Sequence, residues 1–147
     1  MILNKQKRVR LATRPLGAFL RKTQRALKIE GSEITIALVS DARIAEWNEA
    51  FRRKKGPTDV LSFPAVSGAR HGSAGARGHK SGEVLGDIAI APYTAQRYAK
   101  KNGRSLAREI RVLMLHGVLH LMGYDHESDN GQMNRIERRL RRRLGIA

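Results

Sequence analysis

The chain has 147 residues, enough for one domain with a buried core, and it has no cysteine, which excludes a disulfide framework and any thiolate metal site. Its 29 Lys and Arg against 13 Asp and Glu give a net charge of +16, which favours polyanions such as nucleic acid over neutral or cationic partners. Neither a signal peptide nor a stretch long enough to span a membrane is apparent, so we expect a soluble, cytoplasmic protein that forms a single domain over residues 1–147.

The first half of the chain alternates between strand and helix patterns. Apolar residues recur at period two in the strand segments and at helical spacing in the helix segments. Pro, Ser and Gly mark the points where helices begin or stop. In chain order, the predicted elements are a strand at Met1–Asn4, a helix that Pro15 introduces and that stops near Gly31, a strand at Glu33–Val39, and a helix capped by Ser40 or Asp41 with Ile44, Trp47, Asn48 and Phe51 on one face.

The second half contains two short strands and three helices. A segment rich in Gly, Ser and Ala, residues 65–82, separates the strands and is predicted to be a loop. The predicted elements are strands at Thr58–Phe63 and Leu85–Ile90, a helix from Pro92 to Asn102 and Gly103, a helix capped by Ser105 that runs to about Met122, and a last helix with Met133, Ile136, Leu140 and Leu144 on one stripe.

These elements predict an α+β fold, with a small mixed four-stranded sheet covered by helices around a buried central helix. Strands and helices are intermixed, and no segment repeats at a fixed period. The fourth predicted helix contains VLMLHGVLHLM, residues 112–122, which is apolar on nearly every side. We therefore expect the rest of the fold to enclose this helix, which carries two histidines.

Three histidines have the spacing of a metal site. His116 and His120 are four residues apart, so both imidazoles project from one face of the helix. Gly123 can take a left-handed conformation that ends the helix and turns His126 back toward that face. Three neutral imidazoles suit Zn²⁺ and leave a fourth position open for water, as in catalytic zinc sites. The pattern predicts one zinc ion per chain.

Other interpretations of the histidines remain open. A buried histidine can simply form a hydrogen bond within a core. His71 and His79 lie in the Gly-rich segment and are interpreted as residues of a solvated loop. Asp125 either orients a ligand imidazole or is a turn residue after Tyr124.

The residues around the histidines favour phosphodiester over peptide chemistry. In the zinc-protease motif H-E-x-x-H the glutamate is the general base, but Gly117 stands in its place. A phosphodiester reaction instead needs charge stabilisation on phosphoryl oxygens, which suits an arginine fork. The basic cluster, residues 52–55, precedes PTDVLSFP and could line such a site, or it could be a solvated face. The general base is not identified.

Three strings of residues, FRRKKGPTDVLSFP, LGDIAI and HGVLHLMGYDH, occur in this order. Together they resemble the YbeY family of bacterial endoribonucleases and rRNA maturation factors, over about residues 33–140. The resemblance implies an α+β fold around a central helix, a zinc site and single-strand-specific RNA cleavage. It also implies maturation of the 3′ end of 16S rRNA, ribosome quality control, and ribosomal proteins and an assembly GTPase as partners.

Matched residue by residue, the resemblance assigns the zinc ligands to His116, His120 and His126. It also makes Arg52 the substrate-contacting arginine of the family's FR-x-K segment, with Lys54 as the following lysine. Lys55, where an acid is common, and the Gly-rich segment after Pro64 depart from the family pattern. The resulting hypothesis is a zinc-dependent endoribonuclease in which Arg52 stabilises phosphoryl charge. The alternatives are a ribosome-assembly RNA-binding protein with structural zinc, and a metal-dependent protease or other hydrolase.

Overall fold

A mixed sheet of four strands is the framework of the structure, a computed structural model that describes residues 1–65, 82–125 and 129–147. The strands are β1 (Ile2–Asn4), β2 (Glu33–Leu38), β3 (Val60–Pro64) and β4 (Val84–Ile90). They lie in the order β1-β2-β4-β3, with β1 and β4 parallel to β2 and β3 antiparallel to β4. The predicted mixed four-stranded sheet is confirmed.

A bulge near the start of β4 explains the glycine of the LGDIAI string. Glu33 pairs with Val84 but Ile34 pairs with Gly86, so β4 carries one extra residue there. Gly86 has a φ of +139°, and a Cβ on it would lie 2.3 Å from the carbonyl oxygen of Phe63. Only glycine fits this close approach of β3 to β4.

Five helices lie within the described ranges: α1 (Thr13–Ala26), α2 (Asp41–Arg52), α3 (Pro92–Lys101), α4 (Leu106–Leu121) and α5 (Gln132–Arg143). The Ser40 hydroxyl caps α2 by accepting a hydrogen bond from the backbone N–H of Arg43 at 3.1 Å. The Ser105 hydroxyl caps α4 in the same way, by accepting from the backbone N–H of Arg108 at 3.2 Å. None of the described helices is long and apolar enough to cross a bilayer.

The predicted bounds of α1 were wrong at both ends. The helix begins at Thr13, which places Pro15 in its first turn, where a missing N–H leaves no helical hydrogen bond unmade. It ends at Ala26 rather than near Gly31, and Lys28 already takes a left-handed φ of +59°. The chain therefore leaves the helix one turn earlier than the glycine indicated.

The central helix α4 is enclosed as predicted. It packs against β3, β4, α1, α3 and α5. Within residues 112–122, His116 and His120 are half-buried and every other residue is buried. The two histidines are thus the places where this apolar segment reaches the surface.

The opposite face of the sheet carries α2. Because successive residues of a strand point to opposite faces, Ile88 and Ile90 join the main core while Ala89 faces α2. A small cluster forms there from Val39, Ile44, Leu61, Ala89 and Ala91. This packing fixes α2 so that its carboxyl end lies beside β3.

Candidate functional site

A cavity of 740 Å³ opens where the end of α2, strand β3 and helix α4 meet. Three of the four predicted site residues line it: Arg52, His116 and His120. The rest of the lining comes from Phe51, from residues 60–64 of β3, and from Gly123, Tyr124 and Asp125. Residues that are far apart in sequence therefore share one concave site.

The two histidines of α4 face each other. Their Nε2 atoms are 3.0 Å apart, and their ring centroids are 4.6 Å apart. The Nδ1 of His116 lies 2.8 Å from Oε1 of Glu137 on α5. Because a carboxylate accepts, that nitrogen carries the proton, which leaves a lone pair on the Nε2 of His116 that points toward His120.

Glu137 was not anticipated from the sequence. It is 7% exposed and lies one turn from Met133 on the buried stripe of α5. Arg141, one turn further, donates to its other carboxylate oxygen. An acid on an otherwise apolar stripe is the signal that could have found it, since a buried acid needs a partner.

The surroundings of Glu137 keep it ionised. Burial alone would raise the pKa of its carboxyl group. The hydrogen bond from His116, the charge of His116 when its ring is protonated, and the charge and hydrogen bond of Arg141 outweigh burial and lower the pKa below the ordinary value. The charged carboxylate fixes both the tautomer and the ring orientation of His116, as the outer partner of a metal-ligating histidine does.

We expect Glu137→Gln to weaken zinc binding about 10-fold and Glu137→Leu about 100-fold, because loss of an outer carboxylate partner costs roughly 10- to 100-fold in metal affinity. Competition with a chelator measures both affinities. Glu109→Gln is the matched control, since Glu109 is also buried and paired with an arginine, Arg104, at 3.1 Å. Equal zinc affinity in all three variants and the wild type would contradict an orienting role for Glu137.

The histidine pair fits a zinc ion in its donor chemistry. Zinc–nitrogen bonds of roughly 2.0–2.1 Å in a tetrahedral arrangement place two ligand nitrogens about 3.3 Å apart, close to the 3.0 Å between these two Nε2 atoms. Within residues 1–65, 82–125 and 129–147, no three metal-ligating side chains converge. The third predicted ligand, His126, lies outside these ranges, as do His71, His79 and most of the predicted loop 65–82.

Gly117 is required by packing. A Cβ on it would lie 2.9 Å from both Cδ1 and Cγ2 of Ile88, so α4 sits directly on β4 at this point. A glutamate, as in the zinc-protease motif, does not fit between them. The Ser62 hydroxyl donates to the Gly117 carbonyl at 3.4 Å, which also ties β3 to the helix.

We expect Gly117→Ala to lower the free energy of unfolding by about 1–3 kcal/mol, the usual cost of overpacking a core. Urea denaturation measures this change. In an Ile88→Ala background the same substitution should cost less, because the clashing atoms are gone. An identical cost in both backgrounds would show that contact with Ile88 is not the reason for the glycine.

The end of α2 is held in a defined turn. Arg53 takes a left-handed φ of +56°, and its N–H reaches the carbonyl of Glu49 at 3.1 Å. The buried Asn48 side chain donates to the carbonyl of Gly56 at 2.9 Å. Within the basic cluster, Arg52 lines the cavity, whereas residues 53–55 are exposed and do not.

The segment after α4 begins as predicted. Gly123 has a φ of +99°, and its N–H bonds to the His120 carbonyl at 3.0 Å. Asp125 is exposed at the rim of the cavity. Both proposed roles of Asp125 stay predictions.

Comparison with known proteins finds relatives that match nearly the whole chain. The sequence model of the family described as "Endoribonuclease YbeY" matches residues 1–145. A protein of Koribacter versatilis named "Endoribonuclease YbeY" is 40% identical over 146 residues, which cover 99% of this chain and 86% of that protein. One of the same name from Pelotomaculum thermopropionicum is 36% identical, with coverage of 99% and 97%.

The fold has a relative among solved structures. The solution structure of TM1509 from Thermotoga maritima superposes with a TM-score of 0.64 at 25% sequence identity. The match covers 98% of this chain and 89% of that one. The likeness thus extends over the sheet and its helices together.

Proposed function

The chain belongs to the YbeY endoribonuclease family and is a hydrolase of RNA; from that premise we propose that it cleaves single-stranded RNA in the cavity that His116, His120 and Arg52 line. We propose one zinc ion per chain, with His116, His120 and His126 as its ligands. We propose that it acts in the cytoplasm, where it takes part in maturation of the 16S rRNA 3′ end and in ribosome quality control. Ribosomal particles, ribosomal proteins and an assembly GTPase are the proposed partners.

The observation that carries this proposal is that Arg52 lines the same cavity as the histidine pair. Zinc held at such a site would supply a nucleophile at neutral pH by lowering the pKa of bound water to about 7, and would polarise a phosphoryl oxygen. The chain's own groups supply the rest. Glu137 holds His116 in the ligating tautomer, and the Arg52 guanidinium can pair two of its N–H groups with phosphoryl oxygens.

The shape of the site supports an unpaired substrate. The scissile phosphodiester must enter a recess between α2, β3 and α4, rather than lie on an open surface. A single strand can turn its backbone into such a recess, and its unstacked bases are free to be contacted. The net charge of +16 favours binding of single-stranded and paired RNA alike. The preference for single-stranded RNA therefore comes from the recess and not from the charge.

Cleavage of matched single-stranded and hairpin RNAs, with a His116→Ala variant purified alongside, tests the proposal. We expect the wild type to cut the single strand faster than the hairpin stem, and the variant to cut neither. Binding without cleavage by the wild type would favour the ribosome-assembly protein with structural zinc. Equal cleavage by wild type and variant would place the activity outside this cavity.

A further inference from the structure

Three aromatic side chains form a contiguous cluster beside the cavity. Phe63 of β3 meets both rings of α2 edge to face, with its centroid 6.1 Å from that of Trp47 and 5.5 Å from that of Phe51. Phe51 is 66% exposed, which makes it the most exposed aromatic residue in the described part of the chain. Trp47, Phe51 and Phe63 are called the aromatic platform below.

The platform borders two cavities, which share Phe51 and Phe63 as lining residues. A second cavity of 420 Å³ lies on the face of the sheet that α2 leaves open, and Trp47, Phe51 and Phe63 line it. Phe51 and Phe63 also line the 740 Å³ cavity that contains the histidines. An RNA strand bound at the histidines can therefore continue over the platform into the second cavity.

Basic residues lie on one side of the platform and favour a polyanion there. The basic cluster, residues 52–55, follows Phe51 directly, and the Arg43 guanidinium lies 5.9 Å from the Trp47 ring centre. The exposed carboxylate of Asp87, the cross-strand partner of Phe63, also lines the second cavity. Phosphates are thus favoured along the basic side, and uncharged groups are favoured over the platform and Asp87.

We propose that the aromatic platform binds the bases of a single RNA strand by stacking, next to the phosphodiester held in the histidine cavity. This rests on the proposed function, because it takes single-stranded RNA as the substrate. Every unpaired base offers a π face, so aromatic rings bind single strands with little sequence preference. Bases inside a duplex are already stacked and paired, so the platform adds a second reason for selecting unpaired RNA.

The test uses Trp47, the single tryptophan of the chain, as an intrinsic probe. Its fluorescence is titrated with a single-stranded RNA and with an abasic ribose-phosphate strand of equal length and charge. We expect the base-containing strand to quench Trp47 and to bind about 5- to 150-fold more tightly, the range that one stacked base contributes. Equal affinity and equal quenching for the two strands would overturn the proposal.

Substitutions at Phe51 separate stacking from mere apolar contact. Phe51→Leu keeps an apolar side chain but removes the ring, and we expect it to reduce the preference for the base-containing strand at least about 5-fold. Phe51→Tyr should keep the preference. Tyr98→Leu is the matched control, because Tyr98 is an exposed aromatic, 41% accessible, that lines neither cavity. Equal losses in Phe51→Leu and Tyr98→Leu would contradict the platform.

Cleavage kinetics keep this proposal distinct from the proposed function. If the wild type cleaves single-stranded RNA and Phe51→Leu has the same KM, the function stands and the platform is wrong. If the wild type binds bases on the platform, with the expected quenching, but cleaves nothing, the platform stands and the proposed function fails.

Discussion

Replacing His120 by alanine is expected to remove stoichiometric zinc and to abolish RNA cleavage while the fold is retained. His120 is half-buried and faces the Nε2 of His116 across 3.0 Å, so it provides one of two adjacent donors. Removing a ligand should cost more than the roughly 10- to 100-fold in affinity that loss of an outer partner costs. Alanine is the best helix former, so α4 should persist. Metal analysis after chelator treatment and single-turnover cleavage measure the two losses.

His79→Ala is the control for this experiment. His79 lies outside the described residues and is assigned by sequence to the Gly-rich segment, so its removal should leave both zinc and cleavage unchanged. Full zinc content in His120→Ala would show that the proposed ligand set is wrong. Loss of zinc in His79→Ala would show that the set is incomplete.

Most of the fold could be predicted because its signals are local. Ser40 and Ser105 cap helices at the predicted positions, and the apolar string around His116 and His120 predicted a central, enclosed helix. The family was recognised from three strings of residues, and the comparisons confirm it. The carboxyl end of α1 was missed because Lys28 adopts a left-handed conformation that its residue type does not indicate.

The parts of the site that sequence did not indicate depend on contacts between distant segments. Glu137 reaches His116 across 21 residues of sequence, and Phe63 meets Phe51 only because β3 lies beside the end of α2. The sequence shows that Gly117 stands where the zinc-protease motif has a glutamate. It does not show that this glycine packs on Ile88, because that contact depends on how α4 lies on the sheet. The role of His126 as third ligand stays a prediction.

Arg52→Ala is expected to keep the fold and the zinc content and to lose most RNA cleavage, because Arg52 lines the same cavity as the histidines and ligates no metal in the proposed site. It is the last residue of α2 and exposed, so its replacement leaves no buried charge unpaired. A preorganised donor to a developing oxyanion contributes on the order of 100- to 1,000-fold in rate, roughly 2.7 to 4 kcal/mol. An exposed contact to one phosphate contributes far less.

The size of the loss therefore separates two roles for Arg52, and two further variants sharpen the separation. Arg53→Ala removes the same charge from the adjacent position, whose side chain does not line the cavity, so a general loss of basic charge would slow both variants equally. Arg52→Lys keeps the charge but lacks the planar fork, and should restore binding better than turnover. Single-turnover cleavage at saturating RNA and matched zinc content compares all three. A wild-type rate in Arg52→Ala would reduce Arg52 to one residue of a solvated basic face, whereas a 100-fold loss confined to position 52 would assign it to the phosphoryl group.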